Sequence, residues 1–136
     1  MISKELIQAY EDADYVVFAE PEFVLRIGSH SPRLDVLLQN EQSNSAAFVT
    51  AANPRSERKS PAENAAALAV LDQLVQAAGY PWRAGEGREP DGSWREASRL
   101  VIGITRANAE ALGRLFGQNA IVFVDKGSAP ELVVLA

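Results

Sequence analysis

The chain has 136 residues, 47% of them hydrophobic, and carries a formal net charge of −5. That suits one globular domain with a sizeable core, and a net acidic chain is a poor match for nucleic-acid phosphates. No apolar run approaches the roughly 18 residues that a membrane span needs, and the absence of cysteine excludes disulfides and thiolate ligands.

The charge is unevenly spread. Residues 1–50 carry 8 acidic and 3 basic side chains, whereas residues 51–136 carry 10 of each. Arg55, Arg58 and Lys59 form a local basic cluster, most simply read as solvated loop charges. The first residues lack the basic and apolar regions of a secretory signal, so a cytoplasmic location is expected.

Residues 3–12 read as a short helix with Leu6, Ile7 and Tyr10 at helical spacing. Tyr15 to Phe18 and Phe23 to Ile27 read as paired strands around a turn at Glu20-Pro21-Glu22. Ser31 and Pro32 signal a helix start, followed by the apolar stripe Leu34, Leu37 and Leu38. Ala46 to Val49 is a third strand, and it runs into the polar loop Thr50 to Lys59.

The next helix has the strongest signal. Ser60, Pro61 and Glu63 supply an N-cap, a proline at the first helical position and a capping-box glutamate. Leu68, Leu71, Leu74, Val75 and Ala78 are its expected buried face, and Gly79 with Pro81 its end. Tyr80 to Ala84 is a weak strand, Gly85 to Trp94 a loop, and Leu100 to Ile104 a strand. Thr105 caps a helix whose inner face is Ala109, Leu112, Leu115 and Phe116, closed by Gly117. Ala120 to Val124 reads as an interior strand, with Leu132 to Leu135 pairing back onto it after a turn at Asp125 to Ser128. The whole predicts a single α+β domain over residues 1–136. Its core is one mixed, mostly antiparallel sheet of about 5–7 strands flanked by about 4 helices.

Four groups of residues could carry chemistry. Thr50, Asn53, Arg55 and Ser56 precede a helix N-terminus, where free amides favour anions. Ser60 and Glu63 compete for those amides, however, and ordinary turn formation accounts for the same residues. Asn64, in the first helical turn, is placed to bond back to the loop. Gly85 to Trp94 is rich in glycine but lacks both the dinucleotide and the phosphate-loop spacing. Asp91-Gly92 explains it as a tight turn, while Trp94 either stacks on a planar ligand or packs beneath the loop. Gln118 and Asn119 enter a buried strand and need partners, either neighbouring loops or a ligand. His30, the only histidine, has no metal-ligand spacing around it and reads as an exposed loop residue. Neither a serine-nucleophile elbow nor a metal or cofactor motif is present, so no cofactor is expected. Asp91, Glu63 and Glu96 remain as carboxylates capable of acid/base work.

Several of these segments stand in order along the chain. They are Asp14 to Val17, Leu25 to Gly28, Thr50 to Ser56 with Glu63 and Asn64, Gly87 to Trp94, and Phe116 to Val122. Together they resemble, over about residues 10–135, the domain-of-unknown-function 3293 family of bacterial single-domain proteins. The resemblance implies a bacterial, cytoplasmic protein and brings no activity, cofactor or catalytic residue with it.

Two function classes follow. In the first, Asn53, Arg55, Asn64, Asp91, Trp94, Gln118 and Asn119 line one pocket at an edge of the sheet. Such a pocket suits a planar, polar and anionic small molecule of the nucleotide kind. In the second, the same loops shape a surface that meets another protein, as a regulatory or interaction module. Nucleic acid and membrane are not expected partners, and oligomeric state is left open.

Overall fold

The computed structural model describes residues 2–136. Four helices, α1 (Lys4–Asp12), α2 (Pro32–Asn40), α3 (Pro61–Ala77) and α4 (Arg106–Leu115), surround one sheet. Its seven strands are β1 (Asp14–Val17), β2 (Phe23–Leu25), β3 (Ser45–Thr50), β4 (Trp82–Arg88), β5 (Arg95–Ile102), β6 (Ala120–Asp125) and β7 (Glu131–Val134), in the order β2-β1-β4-β5-β3-β6-β7. Every pairing is antiparallel. The architecture is the expected α+β class, with no parallel element in the sheet.

Strand alternation divides the core into two layers. Tyr15, Val17, Phe48, Leu100, Ile102 and Val122 face α2, whose Leu34 and Leu38 are fully buried among them. Ala47, Val49, Val101, Ile121 and Phe123 face the other way, against Leu71 and Val75 of α3 and Ala109 of α4. Arg99 fixes α3 to the sheet through a forked pair of bonds to Asp72, at 2.7 and 3.1 Å.

Helix starts follow the local signals. Ser3, Ser31, Ser60 and Thr105 each accept a backbone N–H of the first turn, and Ser60 with Glu63 completes a capping box. The apolar faces are narrower than the sequence predicts. Leu74 is 39% exposed and Ala78 is also exposed, because the sheet meets the stripe through Leu71 and Val75. Leu74 points roughly 100° away from Val75 around the helix. Leu115 is 68% exposed for the same reason, one position away from the half-buried Phe116.

The largest departure is the β4–β5 hairpin. Gly85 to Arg88, expected in a loop, belongs to β4, and β5 starts at Arg95 instead of Leu100 and ends at Ile102. Only Glu89 to Trp94 is left as the turn. Gly87 belongs in the strand because the Trp94 ring covers it: a Cβ there would lie 3.3 Å from that ring.

Candidate functional site

The segment after β3 is the most unusual stretch of backbone. Asn53, Arg55 and Ser56 have φ of 46°, 57° and 60°, a left-handed cluster without a glycine. Such conformations cost on the order of 1–3 kcal/mol each, less for asparagine, and persist only where the surroundings enforce them.

Distant side chains do the enforcing. The Asn53 N–H donates to Asn64 Oδ1 at 3.0 Å, and Asn64 Nδ2 donates to Asn53 Oδ1 at 3.0 Å. Asn53 Oδ1 also accepts the Lys59 N–H at 2.9 Å. From the far side, the Arg55 N–H donates to Gly117 O at 2.8 Å, and Gln118 Nε2 donates to Ala52 O at 3.0 Å. Gly117 itself has φ 65°, and a Cβ on it would approach Pro54 Cβ to 3.1 Å, so the two loops press directly together. Asn119 Nδ2 donates to Ser56 Oγ at 3.1 Å. Tyr10 of α1 reaches the same hydroxyl at 2.7 Å.

The loop held in this way forms one wall of a cleft of about 610 Å³. Asn53, Ser56 and Asn64 line it together with Trp94 and Glu96, the two sides meeting where Asn53 bonds Glu96, and Leu6, Ala9 and Tyr10 of α1 complete the lining. Arg58, Lys59 and Arg95 contribute cationic groups to the lining. A cavity of about 30 Å³ adjoins it and shares Tyr10, Trp94 and Glu96 with it. That is room for a water molecule.

Glu96 is the distinctive group. Only 9% of it is exposed, and Asn53 Nδ2 donates to its Oε2 at 2.8 Å. Burial pushes its carboxyl above the ordinary glutamate range, opposed by hydrogen bonding from Asn53 and the Trp94 side chain. Glu89 on the same cleft is also raised, first by partial burial and then by the charges of Asp91 and Asp12. The phenol of Tyr15 behind the site is pushed up strongly by burial, and donates to Tyr10 O at 2.5 Å.

The residues singled out from sequence divide into three sets. Asn53, Asn64 and Trp94 line the cleft. Gln118 lines the small cavity, and Asn119 stands behind the wall, bonded to Ser56. Arg55 and Asp91 line neither. Arg55 is an exposed side chain on a backbone tied to Gly117. Asp91 sits at the hairpin tip, where its bonds to Ser93 hold its carboxyl below the ordinary range. His30 is half-exposed and paired with Asp35 at 2.5 Å on α2. Among the described residues no group of three His, Asp or Glu side chains is placed to hold a metal.

Sequence reasoning weighed Glu96 only as one carboxylate among several. Its signal is the alternation Glu96, Ser98, Leu100, Ile102, which puts all four on one face once β5 is extended back to Arg95.

A family model described as protein of unknown function (DUF3293) matches residues 49–121, more than half of the chain. The chain belongs to that family. The DUF3293 match spans the strained loop, α3, the β4–β5 hairpin and Gln118-Asn119, and so takes in every cleft wall except α1. No curated protein and no solved structure matches the chain.

In chemical terms the cleft offers an acceptor, an indole and cations around one space. The amides at the start of α3 contribute little to an anion, because Ser60 Oγ takes the Glu63 N–H and Glu63 Oε1 takes the Ser60 N–H. An anionic group would depend on Arg58 and Lys59 instead.

Proposed function

We infer that the chain binds a small, planar, polar ligand with an anionic group, nucleotide-like in character, in the cleft between the Asn53–Ser56 loop and the β4–β5 hairpin. The observation that carries this reading is the buried Glu96 carboxyl in a cleft that Trp94, Arg58 and Lys59 also line. A buried carboxyl costs stability, and such groups concentrate at binding and reaction centres. The strained loop supports the same reading, since several bonds from remote elements are spent on fixing one wall of an open space.

Roles follow from position. Trp94 supplies a stacking face, Asn53 and Asn64 fix the wall, and Arg58 with Lys59 neutralises the anion. Gln118 and Asn119 act through the loop rather than on the ligand. The test is a thermal-shift series with nucleoside monophosphates. A ligand at about 100 times its Kd stabilises by roughly 2.7 kcal/mol, which raises the melting temperature by several degrees. Trp94→Ala should abolish that rise. A series in which no nucleotide moves the melting temperature overturns the reading.

A second reading, contact with another protein, rests on the opposite end of α3. Leu74 and Leu115 are exposed there beside a groove of about 350 Å³ between α3 and α4. Sedimentation of the wild type against Leu115→Arg tests it: self-association lost in the variant supports a contact through this groove, and a monomer in both removes self-association.

A further inference from the structure

We propose that the cleft selects a guanine-type base, whose adjacent N–H groups pair with the Glu96 carboxylate while the attached phosphate meets Arg58 and Lys59. This rests on the nucleotide-like reading above and specifies which base the site prefers.

The argument starts from what a carboxylate can do. Ionised, it is acceptor-only, with about four lone-pair directions on two oxygens. Asn53 Nδ2 uses one of them on Oε2 and the Trp94 side chain takes another, which leaves about two for a ligand. Asn53 is itself immobilised by Asn64 and by the Lys59 backbone, so the carboxylate is aimed by a rigid support. A group presenting two parallel donors satisfies such an acceptor best, as bidentate pairs do elsewhere.

Among the common bases only guanine presents two neighbouring donors, N1–H and the exocyclic amine, along its pairing edge. Adenine and cytosine place a ring acceptor next to their amine, which would face the carboxylate oxygens in repulsion. Uracil has one donor between two acceptors. Leaving an acceptor against an acceptor in a desolvated site is costly, and that mismatch is the basis of discrimination.

The surroundings fit the same ligand. Trp94 lies two residues before Glu96 on the same hairpin, and its indole, which also packs on Gly87, borders the cleft beside that carboxyl. Glu89, Glu96 and Arg95 of the lining lie on the hairpin, where Arg95 pairs with Glu86 at 3.5 Å, and Arg58 and Lys59 lie on the loop before α3. Arg58 makes no ion pair among the described residues, and Lys59 makes only a 3.9 Å contact to Glu57. A ligand spanning the cleft with a donor edge at one end and a phosphate at the other meets both. A guanidinium compound shares the two-donor edge but carries positive charge toward the basic wall.

The test is titration calorimetry of the full chain with GMP, IMP, AMP, guanosine and agmatine. IMP keeps the ring N–H and lacks the amine. The expected order has GMP about 10-fold tighter than IMP and about 100-fold tighter than AMP, from the loss of one donor and the gain of a facing acceptor. Guanosine should bind more weakly than GMP, and Arg58→Ala with Lys59→Ala should remove that difference. Glu96→Gln should reduce the GMP preference over AMP to within about 3-fold. Equal affinity for GMP, IMP and AMP overturns the proposal and leaves nucleotide binding intact. Agmatine binding more tightly than GMP overturns it in favour of a guanidinium site. Binding of none of the five overturns this proposal and the nucleotide reading beneath it together.

Discussion

Two polar stretches separated by only three residues solve the same problem in opposite ways. Ser60 to Glu63 satisfies its backbone locally, with a serine and a glutamate exchanging bonds across one helical turn. Asn53 to Ser56 adopts a left-handed backbone that its own residues do not favour, and depends on Asn64, Gly117, Gln118 and Asn119 to keep it there. The first would form in many proteins. The second exists because of this fold, and it borders the cleft. Conformational cost is therefore concentrated on a wall of the cleft, while the neighbouring helix start is relaxed.

The contrast can be broken or sharpened by substitution. The largest effect is expected for the support that both stretches share. Leu71 is fully buried between α3 and the sheet, and Leu71→Ala should cost about 2–5 kcal/mol in urea unfolding. A negligible change would remove α3 as the platform on which either stretch rests.

Asn53→Ala comes next. It deletes the bonds to Glu96, Lys59 and Asn64 and forces alanine to φ 46°. Each unsatisfied buried partner costs roughly 1–3 kcal/mol, so for three part-buried partners a total of at least about 3 kcal/mol is expected. Asn53→Gly, which tolerates the backbone, should recover part of that loss and so separate strain from hydrogen bonding. Ser60→Ala should cost only about 1 kcal/mol, the ordinary value of a cap. A cap loss equal to the Asn53 loss would erase the distinction between the two stretches.

What could be read in advance follows the same division. Capping, turn and helix-stripe signals are local rules, and they placed the starts of α2, α3 and α4, and that of α1 to within one residue. The β4–β5 hairpin escaped them because its residues look like a loop. Gly85 and Gly87 stand where the Phe48 and Trp94 rings fill the space of a side chain, a relation across strands that no short window contains. Residues 95–99 open β5 although they include Arg95 and Arg99, the second of which is neutralised by Asp72 of α3. The bond between Asn64 and the loop was legible, because an amide in a first helical turn has few better partners. Arg55 and Asp91 were grouped with the cleft from composition alone. Their side chains lie elsewhere because direction is set by backbone geometry, left-handed at Arg55 and a tight turn at Asp91.

The smallest effect on stability is expected at Glu96, and its pH dependence is informative. Burial raises the carboxyl in the folded state, so folding favours the protonated form. That favourable contribution is complete below the unfolded glutamate value of about 4.3 and is lost as pH rises through the folded value. Glu96→Gln cannot ionise and escapes the loss. Its melting temperature should therefore equal or exceed that of the wild type at pH 7.5, with the gap closing toward pH 4. A site kept at the expense of stability behaves in this way.

The most direct measurement places Glu96→Gln and the wild type side by side in a melt at pH 7.5, with and without 1 mM (on the order of a generous excess) GMP. A free variant at least as stable as the wild type, with a much smaller rise from GMP, is the predicted result. A variant that melts several degrees lower on its own, yet gains as much from GMP as the wild type, would make Glu96 a strut of the fold and not the centre of a binding site.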